Sequence, residues 1–358
     1  MRVLIATDAW RPQINGVVRT YERLAASAAS FGVELTFLTP SEFRTFPCPT
    51  YPEIRLAIPG YHFIIERMAC ISPDAVHIAT EGPIGWMIRR YCLQRAIPFT
   101  TAFHTRFPEY LSGRFGVPAS WIYAIQRHFH NSAAGTMVAS GSLTDELDKR
   151  GFQKLMPWTR GVDTNLFRPR NVRLFGRQSP VLLYVGRVAI EKNIEAFLSL
   201  PIVGTKVVVG TGPMLESLRS RYPEAHFTGK LTGTALAEAY ASADAFVFPS
   251  CTDTFGIVLI EAMACGIPVA AYPVTGPLDN VIEGRTGALN NDLSAAVSQA
   301  LQVDRGWVRE HALNYSWENA TRLFLANIET ALFARQGRHV PARSKRRVIR
   351  RASSIGEL

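Results

Sequence analysis

No stretch of the chain approaches the roughly 20 consecutive apolar residues that a bilayer-spanning helix needs, so the sequence predicts no membrane crossing. Cysteine is scarce. Five residues, Cys48, Cys70, Cys92, Cys251 and Cys265, are scattered over 358 positions without C-x-x-C spacing. That pattern excludes a disulfide framework or a zinc ribbon and fits reduced thiols. Charge is also sparse, at 19% against 47% hydrophobic residues, which excludes global disorder. No internal repeat is present, and no Asp-x-Asp pair that could seat a divalent cation occurs. The opening segment, Met1–Asp8, is a short apolar run ending on an acid, which reads as a strand and not as a secretory leader. The expectation is a cytoplasmic protein, peripherally associated with the inner face of the plasma membrane.

What charge there is lies unevenly. The formal net charge is +10, and the segment from Arg335 to the end holds eight basic residues against the single acid Glu357. The remainder is only mildly basic. A polybasic tail can meet an anionic membrane surface or nucleic acid. This one has no interleaved aromatics, and the body carries no nucleic-acid recognition motif, so the expected partner is a membrane and not nucleic acid.

At this length one core is too few, because single cores rarely grow past roughly 250–300 residues. Val3–Ala6 is a buried-strand run, followed by a polar turn, a helical pattern over Val17–Ser30 and a second strand at Glu34–Leu38. The unit is β-loop-α-β, the opening of a doubly wound parallel sheet. Further strands are expected at Ala75–Ile78, Phe99–Phe103 and Gly135–Val138. The second half starts again with Pro180–Val185, a Gly186-Arg187 turn and a helix from about Asn193. Short strands follow at Lys206–Val209, Ala225–Phe227, Ala245–Phe248 and Val269–Ala271. The predicted fold is α/β, with two Rossmann-like parallel-sheet domains facing a cleft. The expected divisions are one such domain over 1–168 and a second over 169–316, to which the resemblance described below assigns the acceptor and the nucleotide-sugar respectively. A returning helix over 317–334 and a basic tail over 335–358 without a packing pattern complete the chain.

The richest stretch runs from Pro249 to Val269. Asp253 and Glu261 stand eight positions apart with Phe255-Gly256 between them, and the apolar run from Ile257 predicts a helix starting there. A helix N-terminus offers free N–H groups and a positive dipole to a diphosphate. Gly256 would let the anion approach the backbone, Asp253 could reach a sugar hydroxyl, and Glu261 could take both hydroxyls of a ribose.

This stretch resembles the signature of glycosyltransferase family 4, a Glu-x7-Glu around Phe-Gly followed by Glu-Ala-Met-Ala-x-Gly-x-Pro-Val. The resemblance extends over nearly the whole chain. It takes in Asn15-Gly16-Val17-Val18, Phe103-His-Thr-Arg-Phe-Pro-Glu-Tyr110, Arg160-Gly-Val-Asp-Thr-Asn-Leu-Phe-Arg-Pro169 and Val185-Gly-Arg-Val-Ala-Ile-Glu-Lys-Asn193. One departure is that the first carboxylate is Asp253, shorter by a methylene. The resemblance implies a GT-B fold and a retaining, metal-independent hexosyltransferase that needs no cofactor beyond its nucleotide-sugar donor. It implies that Arg187 and Lys192 hold the donor diphosphate, that Asn15 and Gly16 face it across the cleft, and that His104 bonds the donor sugar. Thr228, in His226–Lys230, would bracket the base, and Phe255, Gly256, Ile257 and Glu261 complete the donor site. UDP-sugars are favoured, with GDP-mannose as the other donor.

Asp8, Arg106, Tyr110 and Trp121 are the candidates on the acceptor side. Pro108–Ser132 interleaves Tyr110, Leu111, Phe115, Trp121, Ile125 and Phe129 with Arg114, Arg127, His128 and His130, a face suited to a membrane interface. The resemblance is nearest to the branch holding bacterial lipid glycosyltransferases, sulfolipid synthases and GDP-mannose-dependent α-mannosyltransferases. The expected acceptor is therefore a membrane lipid such as diacylglycerol. Phosphatidylinositol-type lipids and polysaccharides are the alternatives. Two other classes stand beside this reading: a sugar-nucleotide 2-epimerase, for which no hydrolytic acid/base pair is found, and a non-catalytic sugar-nucleotide-binding regulator.

Overall fold

A computed structural model describes residues 1–13, 16–47, 55–104, 117–176, 179–251 and 255–333. In the first half, β1 (Arg2–Ala6), β2 (Glu34–Leu38), a small hairpin of β3 (Thr45–Pro47) and β4 (Arg55–Ala57), β5 (Ala75–Ile78), β6 (Phe99–Phe103), β7 (Gly135–Val138) and β8 (Leu155–Pro157) follow in order. Apart from the hairpin they form one parallel sheet, ordered β2-β1-β5-β6-β7-β8. Strands β5, β6 and β7 are buried along their whole length. That is the burial expected of parallel strands covered by helices on both faces.

The second half repeats the plan with β9 (Val181–Val185), β10 (Thr205–Val209), β11 (His226–Gly229), β12 (Ala245–Phe248), β13 (Val269–Ala271) and β14 (Gly287–Leu289). All are parallel, in the order β11-β10-β9-β12-β13-β14. Separate apolar clusters pack the two faces of each sheet. Both sheets reverse their strand order once, between β1 and β5 and between β9 and β12. Ligands of open α/β sheets sit at such switch points, outside the carboxyl ends of the strands.

The final helix, Trp317–Phe333, returns to the first domain. Its Phe324, Leu325 and Ile328 join the cluster under β1. Trp158 Nε1 donates to Ala320 O at 3.1 Å, and Asn327 Nδ2 donates to Pro157 O at 2.8 Å. A second link between the halves runs from Ser142 N to Asp279 Oδ1 at 2.7 Å. The expected helix from Asn193 is shorter than the sequence suggests. A single 3₁₀ turn covers Ile190–Lys192, Asn193 sits at φ +51°, and the α-helix spans only Ile194–Leu198. Among the described residues no helix is long and apolar enough to cross a membrane.

Candidate active site

At the second switch point the backbone is compressed. Gly186 N donates to Val209 O (3.0 Å), Val188 N to Thr211 O (2.9 Å) and Gly210 N to Gly229 O (2.8 Å). A Cβ on Gly210 would fall 1.8 Å from Gly186 O, and one on Gly212 would fall 2.2 Å from Val188 O. Only glycine lets these loops lie backbone against backbone. They present Arg187, whose side chain is 69% exposed and whose Nη1 is 3.9 Å from Glu191. Lys192 closes the 3₁₀ turn, and Asn193 Nδ2 donates to Pro249 O at 3.2 Å, tying this loop to the end of β12.

Beyond β12, Phe255 is buried and its carbonyl accepts from Asn280 Nδ2 at 2.5 Å. The same amide nitrogen reaches Gly276 O at 2.9 Å, so Asn280 pins the loop in front of the helix Ile257–Ala264. Gly256 takes φ +72°, and a Cβ there would sit 2.8 Å from Leu259 Cδ1. Phe255, Gly256 and Ile257 therefore form the amino end of that helix at the switch point, next to the Arg187 loop. Glu261, one turn on, accepts from the Tyr240 hydroxyl at 2.9 Å. Burial pushes its carboxyl up to about 7. The Tyr240 bond and the charge of Arg19, on the first-domain helix Gly16–Ala28, pull the other way. Arg19 thus acts on a second-half carboxylate from a helix of the first half. Thr228 is exposed at the end of β11, its hydroxyl donating to Gly229 O at 3.0 Å. Across the cleft, Gly16 opens its helix with open space where a Cβ would stand.

His104 follows β6 in a chain of buried groups. Arg160 Nη2 lies 2.6 Å from His104 Nδ1, His104 Nε2 is 3.0 Å from the Tyr21 hydroxyl, that hydroxyl is 2.8 Å from His77 Nε2, and His77 Nδ1 is 2.8 Å from Thr100 Oγ1. A guanidinium only donates, and this fixes every direction. His104 Nδ1 accepts, so Nε2 carries the proton and donates to Tyr21. Tyr21 donates to His77 Nε2, and His77 donates to Thr100. Burial, with the Arg160 charge behind it, holds His104 well below the ordinary imidazole range and His77 down at about 3. Both rings are neutral at physiological pH. Both nitrogens of His104 are engaged within the protein, so bonding a sugar hydroxyl through the ring requires release of one of these bonds. Sequence reading singled out His104 but not Tyr21, His77 or Arg160.

Asp8, expected on the acceptor side, is buried and spends its carboxylate on the protein. It accepts from Ile84 N (2.9 Å), Gly85 N (3.3 Å) and Thr80 Oγ1 (3.0 Å). Burial raises it to about 6 against these bonds. Trp121 stands on the helix Ala119–His130 with 70% of its surface exposed. Asn15, Arg106, Tyr110, Asp253 and the basic tail lie outside the described residues.

The comparisons with known proteins agree with this layout. Residues 14–166 match the family model described as Glycosyltransferase Family 4, and residues 179–303 match Glycosyl transferases group 1. The chain is 30% identical to the sulfoquinovosyl transferase of Arabidopsis thaliana, over 86% of this chain and 69% of the relative. It is 30% identical to the GDP-mannose-dependent alpha-mannosyltransferase of Mycobacterium tuberculosis, over 81% and 83%. It is 24% identical to the alpha-monoglucosyldiacylglycerol synthase of Streptococcus pneumoniae, over 88% and 81%. Among solved structures, sucrose-phosphate synthase from Thermosynechococcus elongatus superposes with a TM-score of 0.67 at 21% identity, covering 94% of this chain and 97% of that one. That likeness shows a shared GT-B fold. With both halves matched in order and the switch points facing one cleft, the chain belongs to glycosyltransferase family 4.

Proposed function

We propose that the protein is a retaining, metal-independent hexosyltransferase that moves a sugar from a nucleoside diphosphate to the hydroxyl of a membrane lipid, diacylglycerol being the first candidate. The observation that carries the donor half is the conjunction at the second switch point. The exposed Arg187 guanidinium, the Lys192 turn and the amino end of the helix Ile257–Ala264 are held together by the Asn193–Pro249 and Asn280–Phe255 bonds. Two cations and a helix dipole suit a leaving diphosphate, and that is the support for metal independence. Glu261 takes the ribose hydroxyls, and Asp253 takes the sugar. The leaving phosphate oxygen removes the acceptor proton on the face from which the diphosphate departs, so the anomeric configuration is kept. Both UDP-sugars and GDP-mannose are candidate donors, the second supported by the printed name of the mycobacterial relative.

Lipid as acceptor carrier rests on the helix Ala119–His130. Trp121 and Ile125, one turn apart, are 70% and 58% exposed, while Tyr123, Gln126, Phe129 and His130 face inward. An exposed Trp beside an aliphatic residue on a basic helix is a membrane-interface arrangement. The names of two relatives, a sulfoquinovosyl transferase and a monoglucosyldiacylglycerol synthase, point the same way. The test is product stereochemistry and metal dependence. Proton NMR of the purified product should show the donor's anomeric configuration, with the rate unchanged in excess EDTA. An inverted anomer or loss of the rate in EDTA would contradict the proposal.

A further inference from the structure

The first switch point carries a carboxylate that no motif singles out. Ligands of open parallel sheets sit where the strand order reverses, here between β1 and β5. Asp8 follows β1, and Thr80-Glu81-Gly82 follows β5. Asp8 clamps that turn: it holds Thr80 Oγ1, Ile84 N and Gly85 N, and a Cβ on Gly82 would fall 2.3 Å from its Cγ. The residue left facing the cleft end of the sheet is Glu81, 15% exposed at its side chain.

Glu81 is oriented from the opposite side. Its Oε1 lies 3.1 Å from His130 Nε2 and accepts from Gln126 Nε2 at 3.2 Å. The ring of His130 is fixed in turn by Thr101 Oγ1 at 2.8 Å from Nδ1, and Thr101 meets the Thr136 hydroxyl at 3.0 Å. Phe103, Phe129 and Phe152 enclose that ring. Gln126 is only 5% exposed, and its Oε1 is buried without a hydrogen-bond partner. Flipping the amide would set that oxygen against Glu81. A buried acceptor without a donor costs about 1–3 kcal/mol, so its retention points to a ligand that donates. A carboxylate and an amide oxygen side by side suit a hydroxyl and repel a phosphate.

We infer that Glu81 and Gln126 form the subsite that receives the acceptor hydroxyl, an inference that rests on the proposed transfer reaction. Glu81 accepts the hydroxyl's hydrogen bond and turns an oxygen lone pair toward the anomeric carbon. The new carbon–oxygen bond forms as the bond from that carbon to the diphosphate oxygen breaks. As it forms, the hydroxyl's proton leaves its hydrogen bond to Glu81 for that departing oxygen, so no proton remains on the protein. His130 and Asp8 are positioning residues, the first through Glu81's oxygen and the second through its turn. The helix that supplies Gln126 and His130 inward presents Trp121 and Ile125 outward. One element therefore joins the membrane face to the hydroxyl subsite.

The test is Glu81→Gln in the full-length protein, assayed with UDP-glucose and GDP-mannose on vesicles of dioleoylglycerol in phosphatidylglycerol. Nucleotide affinity should stay within about twofold of the parent protein's, while transfer slows by about a hundredfold, the scale at which misplaced reactants lose rate. Glu81→Asp should recover part of the loss. Gln126→Leu, which keeps the carboxylate, should raise the acceptor KM with nucleotide affinity intact. Equal transfer rates for the parent and Glu81→Gln, or an unmoved KM in Gln126→Leu, would overturn the inference. If the parent protein turns over donor with water alone, the lipid reading fails. The Glu81 inference is then read on hydrolysis, where it predicts the same loss and is overturned by an unchanged rate. No turnover of either donor would contradict both.

Discussion

Tyr240 and Glu261 share a hydrogen bond of 2.9 Å in the second half of the chain, and burial raises the Glu261 carboxyl to about 7. A carboxylate that accepts ribose hydroxyls must be ionised, so nucleotide affinity should fall as pH drops through about 7. The stability consequence has the opposite sense. The folded value lies above the unfolded one, so the ionised group opposes folding increasingly as pH rises from 4.5 to about 7, and fully above that. Glu261→Gln should therefore raise Tm at pH 8, by at most about 3 kcal/mol in stability, and leave it unchanged at pH 4. The same variant should bind nucleotide about tenfold or more weakly at pH 8, the scale of one lost hydrogen bond to a charged group. Calorimetric scans and nucleotide titrations at the two pH values check both halves.

Arg187 separates function from stability. Its side chain is largely in solvent, and its ion pair with Glu191 is long at 3.9 Å. Arg187→Ala should lower kcat/KM by about a hundredfold or more, as loss of a group facing developing charge does, and leave Tm within about two degrees, as surface substitutions do. Steady-state kinetics beside a thermal melt decides it.

The loop that presents Arg187 depends on a glycine elsewhere. Gly210 takes φ +148°, and a Cβ there would overlap Gly186 O. Gly210→Ala should force the two loops apart, lower stability by about 2–4 kcal/mol as overpacking and backbone strain together do, and weaken nucleotide binding at saturating acceptor. Chemical denaturation and nucleotide titration measure the two effects.

Much of this was legible in the sequence, and what was not shares a physical cause. Continuous apolar runs such as Phe99–Phe103 and Ala245–Phe248 announce buried parallel strands, and both form where expected. The helices Ile257–Ala264 and Trp317–Phe333 start where their apolar spacing predicts. Edge strands of three residues, β8 and β14, carry too little pattern to be seen. The buried polar chains were also invisible. Tyr21 meets His104 across 83 positions and His130 meets Glu81 across 49, and no local period records such a meeting. Asp8 stands out in sequence as an acid after a strand, yet its carboxylate is used to hold a turn.

The hydroxyl of Tyr21 bridges two neutral imidazoles, His77 and His104. Tyr21→Phe should leave His77 Nε2 without a donor and His104 without an acceptor, lowering stability by about 2–4 kcal/mol for two buried groups. Burial and the Arg160 charge, which the substitution leaves in place, should keep the His104 ring neutral. Nitrogen NMR of the imidazoles would show the proton on His104 Nε2 in both proteins, with the shift of a lost hydrogen bond at His104 Nε2 and at His77 Nε2 in the variant.

Ser142 N meets Asp279 Oδ1 at 2.7 Å, joining a first-domain helix to the second domain, and Asp279 Oδ2 is buried without a partner. Asp279→Ala should loosen this link between the two halves and raise the donor KM by about tenfold, the scale of one charge-assisted bond. Small-angle scattering should show a larger radius of gyration for the variant without nucleotide.

The most direct measurement is incubation of the purified protein with dioleoylglycerol in phosphatidylglycerol vesicles, with GDP-mannose or UDP-glucose and no added metal, followed by mass spectrometry of the lipid extract. The account predicts a diacylglycerol carrying one added hexose, formed from one of the two donors and absent in Arg187→Ala. Nucleotide released without any glycosylated lipid, or glycolipid formed equally by Arg187→Ala, would contradict it.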